Sequence, residues 1–223
     1  MVTERFLVWG AGGHGKVIAD LIRSVGGTVV GFADRDIEKG GMVVEPGGGT
    51  VVVDENRLIH AIVDGRALPC NANALALGIG ENVARLACLA RAGRTSIPAL
   101  VHPRSTVSEY SHLGRGTVVF AGAVVNSEAR LGEGVIVNSG SIVEHDCVLD
   151  DGVHVAPGSV LTGGVRVGRA TLVGARSVVL PGVVVGEDVT IGAGSVVTRD
   201  VASGVAVAGN PAKPIRRRVH ASE

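Results

Sequence analysis

Leu131-Gly132-Glu133-Gly134-Val135-Ile136, Val137-Asn138-Ser139-Gly140-Ser141-Ile142 and Val143-Glu144-His145-Asp146-Cys147-Val148 are consecutive hexapeptides, each opened by an aliphatic residue. The same register runs outward without a skip, from Val101 to Val197, for seventeen positions. A six-residue period fits neither the 3.6-residue turn of a helix nor the two-residue alternation of a strand. It fits short strands and turns wound into a parallel β-helix. Three hexapeptides per triangular coil would make five to six coils, a prism about 25 Å tall at the usual strand spacing.

The period also sorts side chains. The opening residue and the small or β-branched residue four places later, as in Ser141, Cys147, Val153, Ser159, Val165, Thr171 and Ser177, are expected inside. Val143 and Cys147 are then interior, while Glu144, His145 and Asp146 point outward or lie at a corner. His145 beside Asp146 is a candidate general base with a carboxylate to set its tautomer and raise its basicity. His154 follows nine residues on, also outside the inward slots. Asn126 and Asn138 share one slot and read as polar corner residues. His60, His102, His112 and His220 lack a carboxylate in register and read as surface or packing histidines. His145 and His154 lack a third metal ligand at a persuasive interval, and no Ser-His-Asp grouping stands out.

The first hundred residues follow a different pattern. Phe6-Leu7-Val8-Trp9 is a short strand, followed by Gly10-Ala11-Gly12-Gly13-His14-Gly15. Helical spacing comes next through Val17, Ile18, Leu21, Ile22 and Val25, with Gly26 as its stop. A second strand, Val29-Val30-Gly31-Phe32-Ala33, ends at Asp34 and Asp36. After a Gly-rich break over residues 40–49 come a helix near 55–63, a strand over 74–77 closed by Gly78-Ile79-Gly80, and a helix over 81–92. Strands alternating with helices imply a small parallel α/β domain. The Gly10-x-Gly12-x-x-Gly15 turn between strand and helix suits a phosphate at a helix N-terminus, and Asp34 stands where an acid can take ribose hydroxyls. So short a domain favours a nucleotide or nucleotide sugar over NAD; a tight turn without ligand is the third reading.

The 223 residues carry 21 basic and 21 acidic side chains, so no field points toward nucleic acid or an anionic membrane. The Arg216, Arg217, Arg218 run reads as a solvated terminus. Cys70, Cys88 and Cys147 show no paired spacing and argue against a disulfide framework, with Cys147 a small buried hydrophobe. No apolar run is long enough for a bilayer and no signal peptide opens the chain, so a reducing cytoplasm is expected. Expected boundaries are 1–100 for the α/β domain, 101–208 for the β-helix and 209–223 for a tail.

Several stretches together resemble a known family. Leu131-Gly132-Glu133-Gly134-Val135-Ile136, Val185-Gly186-Glu187-Asp188-Val189-Thr190 and Ile191-Gly192-Ala193-Gly194-Ser195-Val196 resemble the left-handed β-helix acyltransferases. Gly10-Ala11-Gly12-Gly13-His14-Gly15-Lys16, Phe32-Ala33-Asp34-Arg35-Asp36, Glu144-His145-Asp146-Cys147, His154-Val155-Ala156-Pro157-Gly158 and Gly209-Asn210-Pro211-Ala212-Lys213 narrow this. They resemble the nucleotide-amino-sugar N-acetyltransferases and sialic acid O-acetyltransferases of bacterial glycan synthesis, over essentially the whole chain.

The resemblance implies a Rossmann-like N-terminal domain holding a nucleotide sugar, and a left-handed β-helix. It implies a homotrimer with acetyl-CoA in the groove between two prisms. His145 would be the general base and Asp146 its partner, where the family often has Glu. His154 and Gly163 would line the thioester end of acetyl-CoA; Gly174, Ala175, Pro181 and Lys213 would line the rest. Gly12, Gly13, His14, Asp34, Asp36, Gly78 and Asn138 would bind the acceptor, a UDP-linked 4-amino sugar. Arg35 interrupts the acidic pair of relatives and leaves the base open between uracil and guanine. The implied reaction is direct N-acetylation; the alternatives are sugar O-acetylation, a non-catalytic trimeric nucleotide-binding protein, and an NAD oxidoreductase.

Overall fold

The computed structural model describes residues 4–38 and 52–216. The Gly-rich stretch over residues 40–49, Arg217, Arg218 and His220 lie outside them. The chain divides into two compact units, Met1–Pro103 and Arg104–Glu223.

The first unit is a parallel sheet with helices. Its elements are β1 (Arg5–Trp9), α1 (Gly13–Ser24), β2 (Thr28–Asp34), β3 (Val52–Asp54), α2 (Glu55–Val63), β4 (Ala74–Leu77) and α3 (Asn82–Arg91). Sheet order is β3-β2-β1-β4, with every pairing parallel. Phe6, Leu7, Val8 and Trp9 of β1 and all four residues of β4 are buried, as both faces of a covered parallel sheet require. The order reverses at β1, and ligands of such sheets bind beyond the carboxyl ends of the strands at that reversal. β3 escapes sequence reading because three residues carry no period. Ile18, Leu21 and Ile22 of α1 are buried, but Val17 and Val25 are exposed. Gly26 adopts a φ of 81° and Gly27 N–H donates to Ile22 O at 2.9 Å, ending the helix.

The second unit is a three-faced parallel β-helix built from two-residue strands. An apolar face stacks Thr106–Val107, Val124–Val125, Ile142–Val143, Val160–Leu161, Val178–Val179 and Val196–Val197. A basic face stacks His112–Leu113, Arg130–Leu131, Val148–Leu149, Arg166–Val167 and Val184–Val185. A mixed face stacks Val118–Val119, Ile136–Val137, His154–Val155, Leu172–Val173 and Thr190–Ile191. The second residue of each strand points inward; from Val119 to Val197 these residues are at most 1% exposed. The interior hydroxyls are satisfied by carbonyls: Ser159 Oγ donates to Gly174 O at 2.8 Å and Ser177 Oγ to Gly192 O at 3.0 Å.

From Gly116 to Gly194, each turn between faces has a left-handed residue three places after the inward aliphatic. Glycine fills this slot at most turns, but Glu128, Asp146, Ala170, Arg176 and Asp188 fill it at φ between 51° and 60°. After residue 208 the described chain turns back: Lys213–Ile215 pairs antiparallel with Ala206–Ala208, and Ala212 is buried.

Candidate active site

His145 and Asp146 stand on the edge where the chain leaves the apolar face for the basic face. Asp146 occupies the left-handed slot, with φ 60°, and its carboxylate turns back so that Oδ2 lies 2.7 Å from His145 Nδ1. Both side chains are about two-thirds exposed, at 63% and 64%. The hydrogen bond to Asp146 raises the imidazole pKa above the ordinary histidine value, and the charges of Asp146 and Glu144 add to it. With Nδ1–H held by Asp146, Nε2 is the atom free to accept a proton. One coil further on, Gly163 lies against that ring: a Cβ there would stand 2.6 Å from His145 Cε1 and 2.7 Å from Nε2. Pro181 occupies the same turn position one coil beyond Gly163 and is exposed. Beside this edge, Asn126 Nδ2 donates to Glu144 Oε2 at 2.8 Å.

A second cluster lies on the opposite edge of the apolar face, where the mixed face ends. Asn138 Nδ2 is 3.1 Å from His154 Nε2, a contact in which the amide N–H donates. Gly174 and Ala175 occupy this edge further along the prism. Gly174 is packed on the next coil, where a Cβ would stand 2.4 Å from Ile191 O. Lys213 is exposed on the antiparallel strand. Of the fifteen residues singled out in the sequence, nine belong to the second unit. Those of the β-helix fall on two edges flanking the apolar face, with Lys213 on the terminal strand.

In the first unit, Gly10, Gly15 and Gly78 lock the glycine turn against the end of β4. A Cβ on Gly15 would stand 2.2 Å from Gly10 O, and one on Gly78 2.5 Å from the same oxygen. Gly12 and Gly13 instead face open space, with nothing within 4 Å of an added Cβ. They leave the N-terminus of α1 bare for an anion. Asp34 is partly engaged in holding this turn: Oδ2 accepts from Ala11 N–H at 2.8 Å and Oδ1 from Asp36 N–H at 3.1 Å. Asp36 is exposed and accepts from Glu38 N–H at 3.1 Å. His14 lies against Gly80, and burial, with the charge of Arg85, pulls its pKa down to about 4. Arg85, 1% exposed, donates to the carbonyls of Ile79 and Gly80 and to Asn82 Oδ1. Sequence spacing missed Arg85, because a helical Arg reads as solvated until the packing buries it.

Among the described residues, no group of three or more His, Cys, Asp or Glu is placed to hold a metal ion. No helix there is long and apolar enough to cross a membrane.

The PglD N-terminal domain matches residues 5–92, and the bacterial transferase hexapeptide (six repeats) matches residues 128–163 and 164–199. The acetyltransferase domain of PglB from Neisseria gonorrhoeae, solved with acetyl coenzyme A, is 35% identical; the match covers 96% of this chain and 100% of that one, with a TM-score of 0.84. The chain belongs to the left-handed β-helix family of sugar acetyltransferases. It is accordingly an acyltransferase of this family, with a Rossmann-like domain ahead of a left-handed β-helix. PerB from Caulobacter crescentus, solved with CoA and GDP-perosamine, is 33% identical over 97% of this chain and 99% of that one, TM-score 0.84. WeeI from Acinetobacter baumannii, at 23% identity and a TM-score of 0.64, shares the fold. A comparison with curated proteins finds no match.

Proposed function

We propose that this protein is an acetyl-CoA-dependent N-acetyltransferase acting on a nucleotide-linked amino sugar, with His145 as general base. The observation that carries this reading is the exposed His145–Asp146 pair, raised in basicity, with Nε2 free above Gly163. The likeness to proteins solved with acetyl-CoA, or with CoA and GDP-perosamine, supports the choice of substrates.

Acetyl passes directly from donor to acceptor. The sugar nitrogen bonds to the thioester carbonyl carbon, the C–S bond breaks, and His145 Nε2 takes the proton that the nitrogen sheds and returns it to the leaving thiolate. Proton transfer of this kind contributes roughly 10²- to 10⁴-fold, and holding both substrates in one groove contributes more. An acyl-enzyme is not part of the scheme. Cys147 is 0% exposed, and burial pushes its thiol up to about 11, as it does for Cys88.

The working unit in this reading is a homotrimer. Outward from the apolar face stand Val124, Ile142, Val160, Val178 and Val196, an unbroken column where the basic face carries Arg130 and Arg166. Such a patch marks an interface. A neighbour seated there would bring its own Asn138–His154 edge toward the first copy's His145 edge, and acetyl-CoA would lie between them. Screening UDP-, GDP- and CMP-linked amino sugars with acetyl-CoA, by thiol release and product mass, tests the reading. Acetylated product from one of them is expected; thiol release no faster than thioester hydrolysis with all of them overturns it.

A further inference from the structure

A cavity of about 200 Å³ lies wholly in the first unit, at the carboxyl ends of β1 and β2 and against α3. Gly10 and Asp34 line it, so it adjoins the turn and the carboxylate read from sequence as nucleotide-binding. Its α3 wall is built of Arg91 and, on the same helix face, of the small side chains Ala84, Ala87 and Cys88. Where larger residues would pack the helix onto the strand ends, these leave a slot.

Glu55, the first residue of α2, also lines the slot and is only 7% exposed. A carboxylate buried this deeply requires partners, and two are present. Oε1 accepts from Trp9 Nε1–H at 2.8 Å and Oε2 from Arg35 Nε–H at 2.8 Å. Each carboxylate oxygen can accept twice, so each keeps one position for a donor entering the slot. Arg35, which separates Asp34 from Asp36, is thereby tied to the wall of this cavity.

We infer that this slot holds the base of the nucleotide sugar and that Glu55 makes it selective for guanine. The inference rests on the nucleotide-sugar reading above. Guanine carries two N–H donors, N1–H and N2–H, side by side on one edge, which matches the two oxygens of a carboxylate. Uracil carries one N–H between two carbonyl oxygens, so a carboxylate there would face an acceptor. Adenine and cytosine pair one donor with an acceptor on that edge.

Calorimetry of the full chain with GDP, UDP and ADP, without acetyl-CoA, tests this. GDP is expected to bind roughly tenfold or more tighter than the others, the discrimination of a bidentate base contact. Glu55→Gln should erase that preference. Ala87→Leu, at an exposed helix position, should weaken all binding by filling the slot while the unfolding temperature stays unchanged; it keeps the test open should Glu55→Gln fail to fold. UDP binding as tightly as GDP overturns the guanine assignment, and GDP binding untouched by Ala87→Leu overturns the slot. Absence of binding by every nucleotide would instead overturn the nucleotide-sugar reading.

Discussion

The imidazole of His145 fills the space where a side chain on Gly163, eighteen residues later in sequence and one coil away along the prism, would stand. A methyl group at Gly163 would overlap Cε1 and Nε2 of the ring. The smallest residue therefore stands where the base needs room, and the cost of filling that space falls on chemistry before stability.

Gly163→Ala should lower kcat by about 10²-fold, the penalty of displacing a reacting group by about 1 Å. Because His145 is largely exposed and swings aside easily, the unfolding temperature should change little. Thermal melts beside steady-state kinetics check this; unaltered kcat would show that the ring tolerates the methyl.

His145→Ala should cut kcat by roughly 10²- to 10⁴-fold while sedimentation shows an unaltered assembly. Near-wild-type turnover would sink the assignment of the base.

The base works deprotonated, and its folded-state pKa lies above the ordinary histidine value. Activity should therefore rise with pH through a limb above about 6.5 and fall away below it. In Asp146→Asn the limb should move to lower pH and the plateau should drop. Asn tolerates the left-handed backbone at this position, so the turn survives the change. A pH–kcat/KM profile that does not move would exclude Asp146 as the partner.

Val178→Glu places a charge in the apolar column of the face assigned to assembly. Analytical ultracentrifugation should find smaller species than in the wild type. Activity should fall with them, although His145 is untouched.

Glycines of the N-terminal turn should separate into two behaviours. Gly78→Ala forces a Cβ to 2.5 Å from Gly10 O and 2.9 Å from Gly15 Cα, and should destabilise by about 1–3 kcal/mol. Gly13→Ala meets nothing within 4 Å and should leave the melt unchanged while weakening nucleotide-sugar binding.

The inward and outward placement of the β-helix residues is legible in the sequence. The hexapeptide register puts Val143 and Cys147 inside, and the structure has both at 0% exposure. It leaves His145 and Asp146 outside, where they are found. The βα turn is legible because glycines between a strand and a helix have few other uses. Less legible were Val17 and Val25, whose helical spacing suggested the buried side of α1, and Lys213, whose segment folds back as a strand. An amphipathic pattern limits which residues can be buried without saying where the covering surface stops.

Sequence alone determined the β-helix and the inward and outward ranks along it, because a repeat imposes one geometry on every coil. Only the tertiary structure decided that Gly163 underlies His145, that Asp34 braces the glycine turn, and that Glu55 joins Trp9 to Arg35. It also decided that the β-helix candidates occupy two separate edges. Those relationships join residues 18 to 46 positions apart, and no local spacing encodes them. They arise when coils stack or strand ends converge, which happens only in the folded chain.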